Sequence, residues 1–201
     1  MRIYVACPGD TVTGGIELLH QLVHELNNQG AEAYIWSVNG AVPKVYADEY
    51  QNPEGTPDAA DYKIFPEIWA SYANRTSGKC AVFWESVDNY FPHTSREDWF
   101  KFSDDILHIS QSEYSERFLR YVLNIPDENI IHVADYVNAD FLNCDISGER
   151  KQQVLYNPVK GFGFAGKLIA YMQDVCFIPI TGLERDQIIK LMTESMVYVD
   201  F

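Results

Sequence analysis

Short apolar runs alternate with amphipathic segments along the whole chain. The first run, residues 3–7, is followed by a Gly-rich loop and then by apolar residues at helical spacing, among them Ile16, Leu19 and Val23. A buried strand, a loop and a helix in this order form the repeating unit of a parallel sheet. We therefore predict an α/β protein with a Rossmann-like parallel sheet.

The same pattern predicts eight further strands, at residues 33–38, 62–65, 81–84, 106–109, 130–134, 154–156, 176–180 and 196–201. Capping patterns predict helix starts at Thr94, Ser110 and Thr181. Residues 39–57 are rich in Gly, Pro and Asn and have no clear period, so we predict a long loop there.

The polar stretch at residues 143–153 is the best candidate for a linker. It divides the chain into a Rossmann-like first domain, residues 1–148, and a second unit, residues 149–201. The second unit repeats the strand and helix rhythm as βαβαβ. About 50 residues make only half of an ordinary domain, so we expect the opening of a second Rossmann-like domain that is incomplete in this chain.

The charge balance excludes some partners. Fifteen Lys and Arg stand against 29 Asp and Glu, a formal net charge of −14. Such a surface repels nucleic acid, and it does not support association with an anionic membrane. A phosphate group would therefore need a local binding site rather than the overall field.

The four cysteines are scattered, without metal-ligand spacing. We predict buried reduced thiols, no disulfide, no metal site and a cytoplasmic location. No stretch approaches the roughly 18 apolar residues of a membrane span.

Gly14 and Gly15 lie between the first strand and the first helix, where free backbone amides favour an anion and missing β-carbons let a ligand approach. This position predicts a phosphate or sugar site, with a simple chain-reversing turn as the alternative.

Polar residues follow the predicted strands at the edge where α/β proteins bind ligands. Capping or turn hydrogen bonds are the alternative role for each of them. We predict Asp88 and His93 as catalytic residues. The substrate-binding residues predicted at this edge, besides the two glycines, are Glu67, Ser86, Asn89 and Ser110.

The segment 13–17, Thr-Gly-Gly-Ile-Glu, resembles the G-G-x-E opening of the retaining, group 1 (family 4-like) glycosyltransferases with the two-domain GT-B fold. Residues 154–161 resemble the first strand and loop of that group's C-terminal domain. There a basic residue ahead of a glycine faces the donor diphosphate, which carries over to Lys160 and Gly161. Segments 83–89 and 107–110 fall where the group places strand ends along its cleft.

The resemblance implies transfer of a hexose from a nucleoside diphosphate sugar to a glycan acceptor, with no cofactor and no metal. The group's acidic E-x₇-E segment, which holds the donor ribose and sugar, is not reached in this chain. A truncated, non-catalytic module that binds glycan or a partner protein therefore stays open as an alternative.

Two further expectations concern the second unit. Residues 161–166 read G-x-G-x-x-G, the fingerprint of a dinucleotide site. However, four residues separate this motif from the preceding strand, and we rank it below the glycosyltransferase interpretation. A three-stranded sheet with an uncovered edge also predicts packing on the first domain or a homodimer through the C-terminal segment.

Overall fold

The computed structural model describes residues 1–134, 136–159 and 162–199. The chain divides into two compact units, Met1–Tyr136 and Val137–Phe201. The predicted linker, residues 143–153, therefore lies within the second unit.

The first unit is built on a six-stranded, wholly parallel sheet in the order β2-β1-β3-β4-β5-β6. Its strands are β1 (Arg2–Pro8), β2 (Glu32–Val38), β3 (Tyr62–Pro66), β4 (Cys80–Trp84), β5 (Leu107–Ser110) and β6 (Ile130–His132). All the strands predicted for this unit are present and parallel, with ends displaced by at most two residues. The Rossmann-like α/β prediction is confirmed.

Five helices accompany this sheet: α1 (Gly14–Asn28), α2 (Lys44–Tyr50), α3 (Ala70–Ala73), α4 (Tyr90–His93) and α5 (Glu113–Tyr121). The prediction of a loop over residues 39–57 was wrong where α2 forms. Thr94 does not start a helix; it ends α4, and its backbone carbonyl accepts a hydrogen bond from Trp99 Nε1. Ser110 is a strand residue, and Ser112 caps α5.

The core consists of two apolar clusters because successive strand residues point to opposite faces of the sheet. In β1, Val5 belongs to the cluster that contains Leu19 of α1, whereas Ala6 belongs to the cluster that contains Trp84 and Tyr90. A sheet covered on both faces is typical of doubly wound α/β folds, and it makes the carboxyl edge of the strands a rigid platform.

The second unit holds a separate parallel sheet of three strands in the order β8-β7-β9. Its elements are α6 (Ala139–Leu142), β7 (Lys151–Tyr156), α7 (Phe162–Tyr171), β8 (Cys176–Pro179), α8 (Arg185–Glu194) and β9 (Ser195–Val199). This confirms the predicted βαβαβ unit. The cap of α8 is Glu184, which forms a capping box with Gln187, rather than the predicted Thr181.

Candidate active site

The candidate site lies at the carboxyl edge of the first sheet, where all six parallel strands end. The loops after β1 and β2 are tied together there. Gly9 N donates to Val38 O at 3.1 Å, and Asp10 N donates to Ala41 O at 2.9 Å. A β-carbon on Gly9 would collide with the backbone of Gly40, so this close approach requires a glycine.

Helix α1 begins in this region. Thr13 is its N-cap and accepts a hydrogen bond from Ile16 N at 3.4 Å. The tyrosines of α2 hold the same turn, because Tyr46 donates to Thr13 O and Tyr50 donates to Glu17 Oε1, each at 2.8 Å. Helix α2 thus fixes the start of α1 from outside the sheet.

The two predicted glycines differ in their surroundings. Gly14 is exposed and Gly15 is half-buried at the start of α1. A β-carbon on Gly14 would meet nothing within 4 Å, whereas one on Gly15 would collide with Glu85 Oε2. Gly15 therefore admits a carboxylate to the helix N-terminus, where the dipole favours negative charge.

Glu85 is the central residue that sequence reasoning missed. It directly follows β4, as Glu67 follows β3, and this shared position was the available signal. Gln111 Nε2 donates to the backbone carbonyl of Glu85. Burial, followed by the negative charge of Glu85, raises the pKa of the Cys7 thiol to about 12.

Glu67 lies beneath this loop rather than on its surface. It is only 2% exposed. Its carboxylate accepts hydrogen bonds from Glu85 N and from Asn89 Nδ2, both at 3.2 Å. Burial raises the pKa of Glu67, and these donors oppose the rise. Glu67 therefore holds the loop after β4 in place.

The other predicted residues of this loop lie at its surface. Ser86 is half-buried ahead of a short 3₁₀ turn, Val87–Asn89. Asp88 is exposed and accepts a hydrogen bond from Tyr114 of α5 at 3.2 Å. The negative charge of Asp88, together with this hydrogen bond, raises the pKa of the Tyr114 hydroxyl. His93 is exposed at the end of α4, and among the described residues it makes no hydrogen bond to the others.

Ser110 is fully buried at the end of β5. Its hydroxyl lies 3.4 Å from Glu116 Oε1 and 3.5 Å from Ile131 O, so it links β5 to α5 and to β6. The structure thus brings Gly14, Gly15 and the 85–89 loop to one edge, and it places Glu67 and Ser110 below that edge.

In the second unit, Lys160 and Gly161 lie outside the described residues. The preceding loop follows β7, and Asn157 Oδ1 accepts a hydrogen bond from Val159 N at 3.0 Å. Gly163 and Gly166 lie within α7, and a β-carbon on either would meet nothing within 4 Å. In a dinucleotide fingerprint the last glycine lets the helix pack closely against a strand. Gly166, the last glycine here, has open space beside it, so this geometry does not support a dinucleotide site.

Of the cysteines, Cys7 and Cys80 are buried as predicted, but Cys144 is half-buried and Cys176 is exposed. Within the described residues, no group of three His, Cys, Asp or Glu side chains could hold a metal ion. No helix of the described chain is long and apolar enough to span a membrane.

The fold and the edge site define an α/β protein with two Rossmann-like parallel sheets. The chain is similar to the crystal structure of a glycosyltransferase from Rickettsia africae ESF-5, with a TM-score of 0.58 and 14% sequence identity over 99% of this chain and 72% of that one. No protein-family model and no curated protein sequence matches the chain. At this identity the likeness shows a shared fold.

Proposed function

We propose that the protein transfers a hexose from a nucleoside diphosphate sugar to a hydroxyl group of a glycan acceptor, as a retaining enzyme of the GT-B type. Two findings support this function: the fold shared with a glycosyltransferase, and the G-G-x-E segment at the start of α1. The observation that carries it is the approach of the Glu85 carboxylate to Gly15 at the helix N-terminus.

In this proposal the first unit binds the acceptor. Glu85 accepts a hydrogen bond from an acceptor hydroxyl, and Ser86 and Asn89 line the same loop. The attacking hydroxyl oxygen forms a bond to the anomeric carbon on the face from which the phosphate oxygen departs, so the configuration is retained while the bond from that carbon to the phosphate oxygen breaks. Asp88, which is exposed on this loop, takes the proton that the hydroxyl loses. His93 contacts a hydroxyl of the donor sugar.

The second unit contributes the donor diphosphate site. Its residues, Lys160 and Gly161, are assigned by the resemblance of segment 154–161. A lysine charge and the N-terminus of a helix neutralise a leaving diphosphate without a metal ion. A local cation is needed because the net charge of −14 repels phosphate. A cytoplasmic location, where nucleotide sugars and reduced thiols occur together, belongs to the same proposal.

Release of nucleoside diphosphate from UDP-, GDP- and ADP-linked hexoses, with and without oligosaccharide acceptors, tests this function. Glu85→Gln and Asp88→Asn should each lower kcat/KM by roughly 100-fold. Glu113→Gln is the matched control, because it removes a carboxylate that lies on α5 and pairs with Arg117.

Two results would contradict the proposal. Binding of oligosaccharide without any transfer would favour the non-catalytic glycan-binding module. Equal losses in Glu85→Gln and Glu113→Gln would show that the edge site takes no part in the reaction.

A further inference from the structure

A cavity of about 260 Å³ lies in the first unit at the opposite, amino edge of the sheet. It is formed by the segment 100–104 ahead of β5 and the segment 123–129 ahead of β6, with His108 of β5 in its lining. Since the candidate active site lies where the strands end, this cavity is separate from it.

His108 presents a hydrogen-bond donor to this cavity. Its side chain is buried, and its Nδ1 accepts a hydrogen bond from Trp84 Nε1 at 3.0 Å. Burial lowers the pKa of His108 to about 4, so the ring is neutral and its proton is on Nε2. Among the described residues no acceptor lies within hydrogen-bond distance of Nε2. His108 is one of the residues that line the cavity.

Phe100 supplies an aromatic face at the same cavity. The residue is 52% exposed. Its φ of 61° lies in the left-handed region, which is unfavourable for a bulky side chain. A strained and exposed aromatic residue beside a cavity is a feature of ligand sites rather than of core packing.

The lining selects an uncharged ligand. Phe102, Leu123, Ile125 and Pro126 form its apolar part, and the polar residues include Asp104. There is no Lys or Arg among the lining residues. The carboxylate of Asp104 and the net charge of −14 oppose an anion.

We propose that this cavity binds one neutral pyranose unit of a saccharide. The sugar ring lies with its C–H face on Phe100, one of its oxygens accepts a hydrogen bond from His108 Nε2, and a hydroxyl donates to Asp104. The volume suits a single ring, and a lining that combines apolar side chains with several polar groups fits a sugar, which presents both C–H faces and hydroxyl groups. The site does not depend on the transfer reaction proposed above.

Titration of the ¹⁵N-labelled protein with the methyl glycosides of glucose, galactose and mannose, without any nucleotide sugar, tests this assignment. We expect saturable shifts for the His108 Nε2–H group and for amides of the cavity-lining residues. Phe100→Ala should weaken binding by about tenfold, because the stacking face is lost. Tyr171→Ala, which removes an aromatic side chain exposed in the second unit, should not change it.

His108→Asn provides an independent variant, because its amide oxygen keeps an acceptor for Trp84 while the Nε2 donor is lost. Binding should weaken here as well. The proposal is overturned if no glycoside binds saturably, if adenosine binds in place of the glycosides, or if Phe100→Ala binds as the parent does. Shifts confined to Gly14, Gly15 and Glu85 would also overturn it, while leaving the proposed transferase function standing.

Discussion

The two units of this protein begin with the same topology but differ in how well it is covered. Each places its first strand between the next two, as β2-β1-β3 in one and β8-β7-β9 in the other. The first unit continues with three more strands and buries apolar clusters on both faces. In the described part of the second unit, the buried apolar side chains are Leu155 and Ala165.

The difference teaches that a βαβαβ pattern specifies strand order without supplying a core. Strand β9 pairs with β7 alone among the described strands, and Met196, Val197 and Tyr198 are 42–55% exposed. The strand order of this three-stranded sheet follows from local sequence, whereas its stability depends on the layers packed around it.

The largest expected effect is the loss of the second unit's core in Leu155→Ala. Removing a fully buried leucine costs about 2–5 kcal/mol. Few other buried side chains remain there, so amide protection from hydrogen exchange should disappear in residues 151–199 and persist in the first unit. Leu19→Ala is the matched change in the first unit; it should weaken that unit by a similar amount and leave it folded. Equal loss of protection in both units would show that they unfold together.

Acid should destabilise the first unit alone between pH 6.5 and 5, because all five histidines precede Tyr136. Burial lowers the pKa values of His20 and His108 from 6.5 to about 4. Over this range the unfolded chain binds protons that the folded chain does not, so the free energy of unfolding falls as pH falls. The loss is about 2 kcal/mol for each histidine at pH 5.

Urea unfolding followed by hydrogen exchange at pH 7 and pH 5 measures this effect. His20→Phe should remove the part due to His20, because phenylalanine keeps the ring contacts with Tyr46 and Tyr50 and does not titrate. An unchanged pH dependence in this variant would contradict the assignment.

Sequence reasoning located the strands because a buried parallel strand is a short apolar run whatever its neighbours are. It missed α2 because the inward side of that helix consists of Tyr46 and Tyr50 in a segment rich in breakers, rather than of aliphatic residues at helical spacing. It placed the cap of α5 at Ser110, because Glu113 stands three residues after Ser110. The cap is Ser112, which pairs with Ser115, while Ser110 is held in the sheet by its pairing with β4.

The candidate site likewise combines features that follow from local sequence with features that depend on residues distant in sequence. The position of Gly14 and Gly15 followed from a loop between a strand and a helix. Glu85 carries no motif of its own, and its relation to Gly15 arises only when β4 lies beyond β3 in the sheet. The burial of Glu67 and Ser110 likewise depends on neighbours that are distant in sequence.

A smaller effect on stability is expected when the glycines in the first turns of α1 and α7 are replaced by alanine. Gly163→Ala should stabilise α7 by about 0.5–1 kcal/mol, because its β-carbon meets no atom and alanine favours a helix. Gly15→Ala should not give this gain, since its β-carbon collides with Glu85. Gly14→Ala is the control, as that position is open. Thermal unfolding compares the three, and a gain in Gly15→Ala equal to that of Gly163→Ala would show that Glu85 moves away at no cost.

The smallest expected change in stability follows from placing charges on β9, and the same variant tests whether the second unit associates with another copy of the chain. We expect two copies to associate through this unit, because an apolar edge strand offers unpaired backbone groups and side chains to another chain. Met196→Lys with Val197→Lys should alter the free energy of unfolding of the single chain by less than about 0.5 kcal/mol, because both side chains are exposed.

Light scattering should show a concentration-dependent dimer for the parent and a monomer for this variant. Val12→Lys with Val45→Lys, which places the same charges on exposed positions of the first unit, should leave the dimer intact. A parent chain that stays monomeric at high concentration while residues 151–199 remain protected would show that three strands and two helices suffice without a partner.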